Sequence, residues 1–267
     1  MRTQIILLMT LLLVFVLVQM MSIGNSHFSK PNLFKNIRRS LVEFPFICSF
    51  FSALAICPSD IDKCIEVKPL SEDEFDIAKF TEKSWYVQKQ QENPYQDLNA
   101  LYCVLATYDL RDDGNFEVTN FRNIGGVNMG DGSVPSNEEQ QCGVVIKGGE
   151  ILLNPCISFF DHYFYKLLDI GPYWVIAVDE EYEWAVISGG APDRIVSEDP
   201  LRCKTTNGET NLDAFQGSGL WIVSHESSLG AENVTAVMTM LDEMGIYTGD
   251  LIDVVHDECR YENAYIK

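Results

Sequence analysis

The segment that most constrains the fold is a predicted β-hairpin that spans Gly171–Ser188. Two apolar runs rich in β-branched and aromatic residues, Tyr173–Val178 and Tyr182–Ile187, flank the acidic turn Asp179–Glu181. Each run has the length of a strand, and the short polar turn between them is typical of a hairpin. Aromatic residues occupy both alternating positions, which predicts that both faces are covered. A sheet that closes on itself beneath an outer helix would cover both faces.

The rest of the chain carries further strand patterns that indicate a meander of antiparallel strands. The other predicted strands are Lys83–Val87, Tyr102–Leu110, Phe116–Arg122, Cys142–Lys147, Glu150–Phe160 and Gly219–Ser224. With the two strands of the hairpin, the count is eight. Eight antiparallel strands close into a barrel that has room for one small ligand.

One amphipathic helix is predicted after the last strand, at Glu232–Met244. Apolar residues recur at positions 234, 237, 238, 241 and 244, which is the stripe of a helix that packs one face against a sheet. Gly245 follows as a helix cap. The sequence therefore predicts an all-β protein, an eight-stranded up-and-down antiparallel barrel with one C-terminal α-helix packed outside.

The chain is strongly acidic, with 39 acidic against 19 basic residues and a net charge of -20 over 267 residues. This balance argues against nucleic acid as a partner, because phosphate contacts need lysine and arginine. The charge indicates a soluble, self-repelling surface. A second hypothesis is that acidification removes this repulsion and allows peripheral membrane association at acidic pH.

The N-terminal part has the composition of targeting segments. Residues 1–24 resemble a signal peptide, with an uncleaved anchor as the alternative. Residues 25–56 combine a basic, transit-like stretch with Arg38-Arg39, a second apolar run and Ala53-Leu54-Ala55, which together resemble a twin-arginine lumenal signal. This order predicts the thylakoid lumen of a complex plastid, and a secreted protein is the alternative. The folded domain is expected at residues 57–267.

Three sequence blocks resemble the conserved blocks of the lipocalins. Phe75–Val87, FDIAKFTEKSWYV, is similar to the first block, and Gly171–Ser188, with Asp179 and Tyr182 in its turn, is similar to the second. Gly219–Ser224 is similar to the third. The similarity is greatest to apolipoprotein D and to the bacterial and plastid lipocalins. It implies a lipocalin barrel that binds or transports a small hydrophobic ligand.

Two positions depart from the lipocalin pattern. The family glycine before Trp85 is Lys83 here, so a residue with a Cβ must make the bend. The family arginine that covers the tryptophan at the barrel floor is His225. Because a histidine makes a cation–π contact only when protonated, one hypothesis is that His225 tightens the floor at acidic pH. The alternative is a neutral, packed histidine.

The resemblance and strand alternation together predict the ligand-binding residues. If Trp85 points inward at the floor, Tyr108, Asn120, Tyr173 and Trp221 also face inward. This lining implies an elongated, mostly apolar ligand with one polar end, such as a fatty acid or a carotenoid-like or sterol-like lipid. The alternative is that these aromatic residues fill a barrel core that binds nothing.

Eight cysteines lack the paired spacing of a zinc site, which favours disulfides and an oxidising compartment. The lipocalin resemblance implies the bridges Cys103–Cys259 and Cys64–Cys203, and Cys142 and Cys156 flank one hairpin and could pair across it. Cys57 is left over. Residues 189–217, between the last two strands, form a long connection that we expect to be an ordered lip over the mouth, pinned by Cys203.

The sequence gives little sign of catalysis. No Gly-x-Ser-x-Gly elbow occurs, and the four histidines lack metal-ligand spacing, so no catalytic residue, metal site or cofactor is predicted. A weaker resemblance to violaxanthin de-epoxidase leaves a xanthophyll-modifying enzyme as an alternative. A third possibility is a protein that binds no ligand and uses acidic lips as a partner interface.

Overall fold

The structure, a computed structural model, describes residues 63–93, 96–129, 141–156, 171–205 and 218–267. Within these ranges the helices are α1 (Ile77–Phe80) and α2 (Ala231–Glu243). The strands are β1 (Trp85–Gln91), β2 (Tyr102–Leu110), β3 (Phe116–Asn123), β4 (Gln141–Lys147), β5 (Glu150–Pro155), β6 (Pro172–Val178), β7 (Trp184–Ser188), β8 (Arg194–Val196), β9 (Asp199–Lys204), β10 (Leu220–Ser224) and β11 (Leu251–Asp253). The two targeting segments and Cys57 lie outside the described residues. In the described part, no helix is both long and apolar enough to cross a membrane.

Eight of the strands form a closed barrel. β1 to β7 and then β10 pair antiparallel with their neighbours in chain order, and β10 pairs back onto β1. The closing register places Val87 opposite Val223 and Gln90 opposite Trp221. β11 is an extra antiparallel strand on β1. The structure thus confirms the predicted eight-stranded up-and-down antiparallel barrel.

Helix α2 packs outside this barrel, as its apolar stripe predicts. Val237 and Leu241 are fully buried, in a cluster with Val186 of β7 and Ile222 of β10. These two strand residues face outward, since their sequence neighbours Ala185, Ile187 and Val223 belong to the interior cluster. Burial of apolar area at roughly 25 cal/mol per Å² holds the helix against the sheet.

One end of the barrel is closed by helix α1 and the first residues of β1. The Asp76 side chain caps α1 by accepting hydrogen bonds from the backbone of Ala78 and Lys79. Phe80 and Trp85 are completely buried, and Trp85 Nε1 donates to the Phe80 carbonyl at 2.7 Å. The structure therefore plugs the end at which β1, β3, β5 and β7 begin, and we refer to the opposite end, which the sequence predicts to be the mouth, as the open end.

The turn Asp179–Glu181 joins β6 to β7 at this closed end, and a hydrogen bond connects the turn to the start of α1. Asp179 Oδ1 accepts the Trp184 amide at 2.9 Å, and Tyr182 has a positive φ of 61°. The Tyr182 hydroxyl accepts a hydrogen bond from the Asp76 amide at 2.6 Å. Tyr182 belongs to this turn, and the strand predicted from it begins at Trp184.

Three disulfides tie peripheral segments to the barrel: Cys64–Cys203, Cys103–Cys259 and Cys142–Cys156. The same three pairs were expected from the sequence and its lipocalin resemblance. The first two join residues 139 and 156 positions apart, and the third spans the β4–β5 hairpin. Loop closure of this kind contributes about 2–4 kcal/mol per bond in typical proteins.

The long connection between β7 and β10 contains a small hairpin, β8–β9. The Cys203 amide donates to the Gly245 carbonyl, and the Tyr247 amide donates to the Cys203 carbonyl, both at 2.8 Å. These bonds, with the disulfide to Cys64, hold the hairpin against the segment that follows α2. Residues 206–217, on which the predicted lip depends, lie outside the described residues.

Candidate functional site

The bore, the space that the eight strands enclose, contains the aromatic residues that the sequence predicted to face inward. Tyr108 and Tyr173 belong to the interior hydrophobic cluster and are 2% and 9% exposed. Trp221 packs on the same cluster, with its ring centroid 6.4 Å from that of Tyr173. Asn120 pairs opposite Ala106, a member of the interior cluster, and therefore also lies on the inward face. Whether these residues bind a ligand stays a prediction.

Tyr108 and Tyr173 meet across the bore. Their hydroxyls form a hydrogen bond of 2.5 Å, and their strands, β2 and β6, stand four places apart in a ring of eight. The pair therefore spans the full width of the barrel. Burial raises the pKa of Tyr108 to about 12, although its hydrogen bond with Tyr173 partly offsets this, so the Tyr108 hydroxyl keeps its proton near neutral pH.

For description we divide the bore in two. We call the part packed around Phe80, Trp85 and Phe116 the closed half. We call the part lined by Gln90, Asn120, Arg122, Leu153 and Trp221 the open half.

Along β3 and along β10, the exposed fraction of the inward side chains is lower in the closed half than in the open half. On β3, Phe116 and Val118 are 0% and 3% exposed, whereas Asn120 is exposed and Arg122 is partly exposed. On β10, Val223 is buried and Trp221 is partly exposed. The inward side chains of these two strands are therefore packed less completely away from the closed end, whereas Val104, Ile187 and Gln90 on other strands stay buried.

Two buried polar atoms in the open half have no hydrogen-bond partner. They are Oε1 of Gln90 and Nε of Arg122. The Gln90 amide donates to Gln96 Oε1 at 2.9 Å, so only one side of this amide is satisfied. A buried polar atom without a partner typically destabilises a fold by about 1–3 kcal/mol. These two atoms are the groups in the bore that a bound molecule would satisfy.

The sequence predictions missed both polar residues for different reasons. Alternation from Trp85 places positions 87, 89 and 91 inward, but an irregularity between Val87 and Lys89 shifts the register and turns Gln90 inward instead. For Arg122 the signal was present. It lies two residues beyond Asn120 on a strand whose inward alternation starts regularly at Phe116 and Val118.

At the floor, His225 lies directly on Trp85. The ring centroids are 3.8 Å apart, and His225 Nδ1 donates to the Ser84 carbonyl at 3.0 Å. Burial lowers the pKa of His225, and nearby Lys83 adds to this, against smaller opposing effects of the Ser84 hydrogen bond, Glu183 and Asp179. This lowered pKa favours the neutral form of the packed imidazole and so argues against a floor that protonated His225 tightens in acid, which stays a prediction.

A cation does reach this end of the barrel, but it comes from another part of the chain. Lys267 Nζ donates to the carbonyls of Thr81 and Tyr108, at 3.1 and 2.5 Å, and pairs with Asp109 at 3.0 Å. The Lys267 amide donates to Ser84 Oγ at 3.0 Å. The C-terminal residues thus fasten the outside of the closed half.

Within the described ranges, no three His, Cys, Asp or Glu side chains lie close enough together to hold a metal ion. What the bore offers is an apolar, aromatic wall with a few convergent polar groups, which is the chemistry of a binding cavity.

No family model and no curated protein matches this sequence. Solved structures of similar shape include the major allergen Per a 4 from cockroaches, at 15% identity over 76% of this chain and 99% of that chain, with a TM-score of 0.44. Insecticyanin from the tobacco hornworm Manduca sexta is 18% identical over 74% of this chain and 90% of that chain, with a TM-score of 0.45. Apocrustacyanin C1 is 14% identical over 70% of this chain and 84% of that chain, with a TM-score of 0.42.

Proposed function

We propose that the protein binds a small hydrophobic ligand in the open half of the bore and carries or sequesters it. The observation that supports this is the change in exposure along β3, from fully buried Phe116 to exposed Asn120 on the same inward face. A barrel whose only role was structural would gain stability by filling this half as it fills the other.

The wall of the open half suits an elongated ligand with one polar end. Trp221 and Tyr173 present a large apolar surface, and their rings are already in contact with each other. Gln90 and Arg122 supply polar atoms that lack protein partners. Fatty acids and carotenoid-like or sterol-like lipids remain the ligand classes that we propose.

A pair of tryptophan substitutions on β3 tests this proposal. Asn120→Trp places a large ring inside the open half, whereas Thr119→Trp places the same ring on the outward face of the same strand. The measurement is fluorescence of N-phenyl-1-naphthylamine, an uncharged apolar probe, titrated into the full-length protein. We expect saturable binding to wild type and to Thr119→Trp, and at least about tenfold weaker binding to Asn120→Trp, since the ring fills the space that the probe needs.

Three results would overturn the proposal. They are no saturable probe binding to wild type, equal binding to both tryptophan variants, and equal loss in both. Circular dichroism of each variant checks that the barrel is intact. Native mass spectrometry of the purified protein would then identify any lipid that it retains.

We also propose that the open end associates with membranes at acidic pH. Three exposed apolar residues support this: Leu98, Ile124 and Met129, at 48%, 47% and 58% exposure. The Gly125 amide donates to the Asn99 carbonyl at 2.7 Å, so the loops that carry them lie side by side at the open end. Acidification would lower the net negative charge that keeps the chain away from other surfaces.

Sedimentation with liposomes of plastid lipid composition tests this association. We expect more protein in the pellet at about pH 5 than at about pH 7.5, and a reduced acid pellet for Met129→Asp. Identical distributions at both pH values would contradict the proposal. Leu110→Asp, which changes an exposed apolar residue at the closed end, is the matched control.

The compartment is a separate proposal, the thylakoid lumen with secretion as its alternative. Its support in the described residues is the set of three disulfides, which persist in oxidising compartments. A fluorescent fusion and N-terminal sequencing of the mature protein distinguish the two. Cleavage after residue 55 and a plastid signal would support the lumen, whereas cleavage near residue 24 and export would support secretion.

A further inference from the structure

The open half of the bore holds a positive charge, that of Arg122, that no group of the described residues neutralises. Arg122 lies on the inward face of β3, because Phe116 and Val118 of the same strand are interior and Phe121 belongs to an outer cluster. Its Nε is buried without a hydrogen-bond partner. Among the described residues, no carboxylate lies within ion-pair distance of its guanidinium group.

This lack of a counter-ion is notable in a chain with 39 acidic residues. Arg111 pairs with Asp113 and Glu117, and Arg202 with Asp199 and Asp242. Arg194 and Arg260 also lack an ion pair among the described residues, but both are exposed to solvent, whereas Arg122 has a buried Nε. Taking a guanidinium group partly out of water without a partner is unfavourable. A guanidinium group without a partner favours binding of an anion that supplies one, and the low dielectric of the bore strengthens the attraction between the two charges.

A second polar side chain lies beside Arg122 on the same face. Asn120 is two residues away on the strand, and inward side chains of one strand are about 6.5–7 Å apart. Asn120 is exposed to the bore, and no hydrogen bond to its amide occurs among the described residues. The guanidinium group and the amide together present donors on one wall, with Tyr173 and Trp221 on the strands across the bore.

We infer that the ligand is an anionic amphiphile whose carboxylate binds Arg122, with Asn120 as a second donor and the apolar chain against Tyr173 and Trp221. This inference rests on the proposed function. It adds the charge of the ligand and names Arg122 as the residue that recognises that charge. The net charge of -20 repels anions in bulk solution, so Arg122 provides selectivity within the bore rather than long-range attraction.

The test compares two ligands that differ only at the head: hexadecanoate and hexadecanol, each displacing N-phenyl-1-naphthylamine from the full-length protein at about pH 8, where the acid is ionised. We expect wild type to bind hexadecanoate about tenfold or more tightly than hexadecanol, because hydrogen bonds to charged groups are the stronger ones. Arg122→Gln should remove this preference and leave hexadecanol binding unchanged. Arg194→Gln, at an exposed position of β8, makes the same change of net charge and should keep the preference.

Each other result has a definite meaning. Equal affinity of wild type for the two ligands overturns the inference and leaves the proposed function intact, whereas no binding of the probe or of either ligand overturns the proposed function itself. Equal weakening of both ligands by Arg122→Gln shows a structural role for Arg122 and also overturns the inference. Arg122→Lys keeps the charge and should retain part of the preference, and Asn120→Asp should weaken hexadecanoate selectively.

Discussion

The two halves of the bore are built from the same eight strands but differ in how completely their inward side chains are packed and hydrogen-bonded. In the closed half, Phe80, Trp85 and Phe116 are fully buried, and the Trp85 indole has its hydrogen bond. In the open half, Asn120 and part of Trp221 face solvent, and Gln90 and Arg122 have buried atoms without partners. Packing and hydrogen bonding in the closed half stabilise the fold, and their incompleteness in the open half is the basis of the binding that we propose.

The largest effect should come from removing the tryptophan of the closed half. Trp85→Ala should lower the free energy of unfolding by about 3–5 kcal/mol, because it empties a fully buried site and leaves the Phe80 carbonyl without its donor. Trp221→Ala should lower it by about 1–2 kcal/mol, since part of that ring already faces solvent. Urea unfolding of both variants measures the difference, and equal losses would contradict the division into halves.

Adding a methyl group to the closed half should also destabilise the protein. The Phe116 ring lies over Gly143, and a Cβ there would come within 2.1 Å of the ring. Gly143→Ala should therefore lower the free energy of unfolding by about 1–3 kcal/mol through overpacking. Thermal unfolding measures this, and a Tm equal to that of wild type would show that the closed half is loosely packed.

The hydroxyl pair that divides the bore should have a moderate effect. Tyr108→Phe removes the hydrogen bond to Tyr173 while keeping the ring, and should lower the free energy of unfolding by about 0.5–1.5 kcal/mol. Tyr102→Phe, on the outward face of the same strand, is the control. A Tyr108→Phe variant as stable as wild type would indicate that the bridge contributes nothing net.

The smallest effect concerns pH at the floor. Because burial lowers the pKa of His225 below its unfolded value of about 6.5, its contribution is fully present above that pH and is lost as the pH falls toward the folded pKa. Compared with His225→Gln, wild-type Tm should therefore fall more, or rise less, between about pH 7 and pH 5. Burial also lowers the pKa of His256, but this residue is present in both proteins and its effect cancels in the comparison. A wild-type Tm that rises more in acid than that of His225→Gln would support the cation–π hypothesis.

The course of the barrel could be predicted from sequence because its signals are local. Hairpin turns such as Asp179–Glu181 and the stripe of α2 mark the elements, and eight strands with short turns leave few ways to close. Alternation also places Tyr108, Tyr173 and Trp221 correctly, since the register between bulges is regular. The small hairpin β8–β9 carried a weaker signal, because its strands are short and mostly polar.

Contacts between side chains on opposite walls of the bore could not be predicted from the sequence. The hydrogen bond between Tyr108 and Tyr173 joins residues 65 positions apart on opposite walls, and only barrel closure brings them together. The position of Gln90 depends on a bulge after Val87 that no local pattern marks. Lys267 at the floor is a similar case, since a tail's docking place depends on the finished surface.

The phenol bridge also has a consequence for the size of any guest. A ligand bound as we propose would meet the joined Tyr108 and Tyr173 hydroxyls, which connect opposite walls of the barrel, and could pass between them only by breaking their hydrogen bond. A long, straight chain would have to leave its far end outside or bend back on itself. The Tyr108–Tyr173 pair would thereby limit the length of ligand that the open half can hold. In a series of ligands with increasing carbon number, affinity should therefore stop rising once the open half is full.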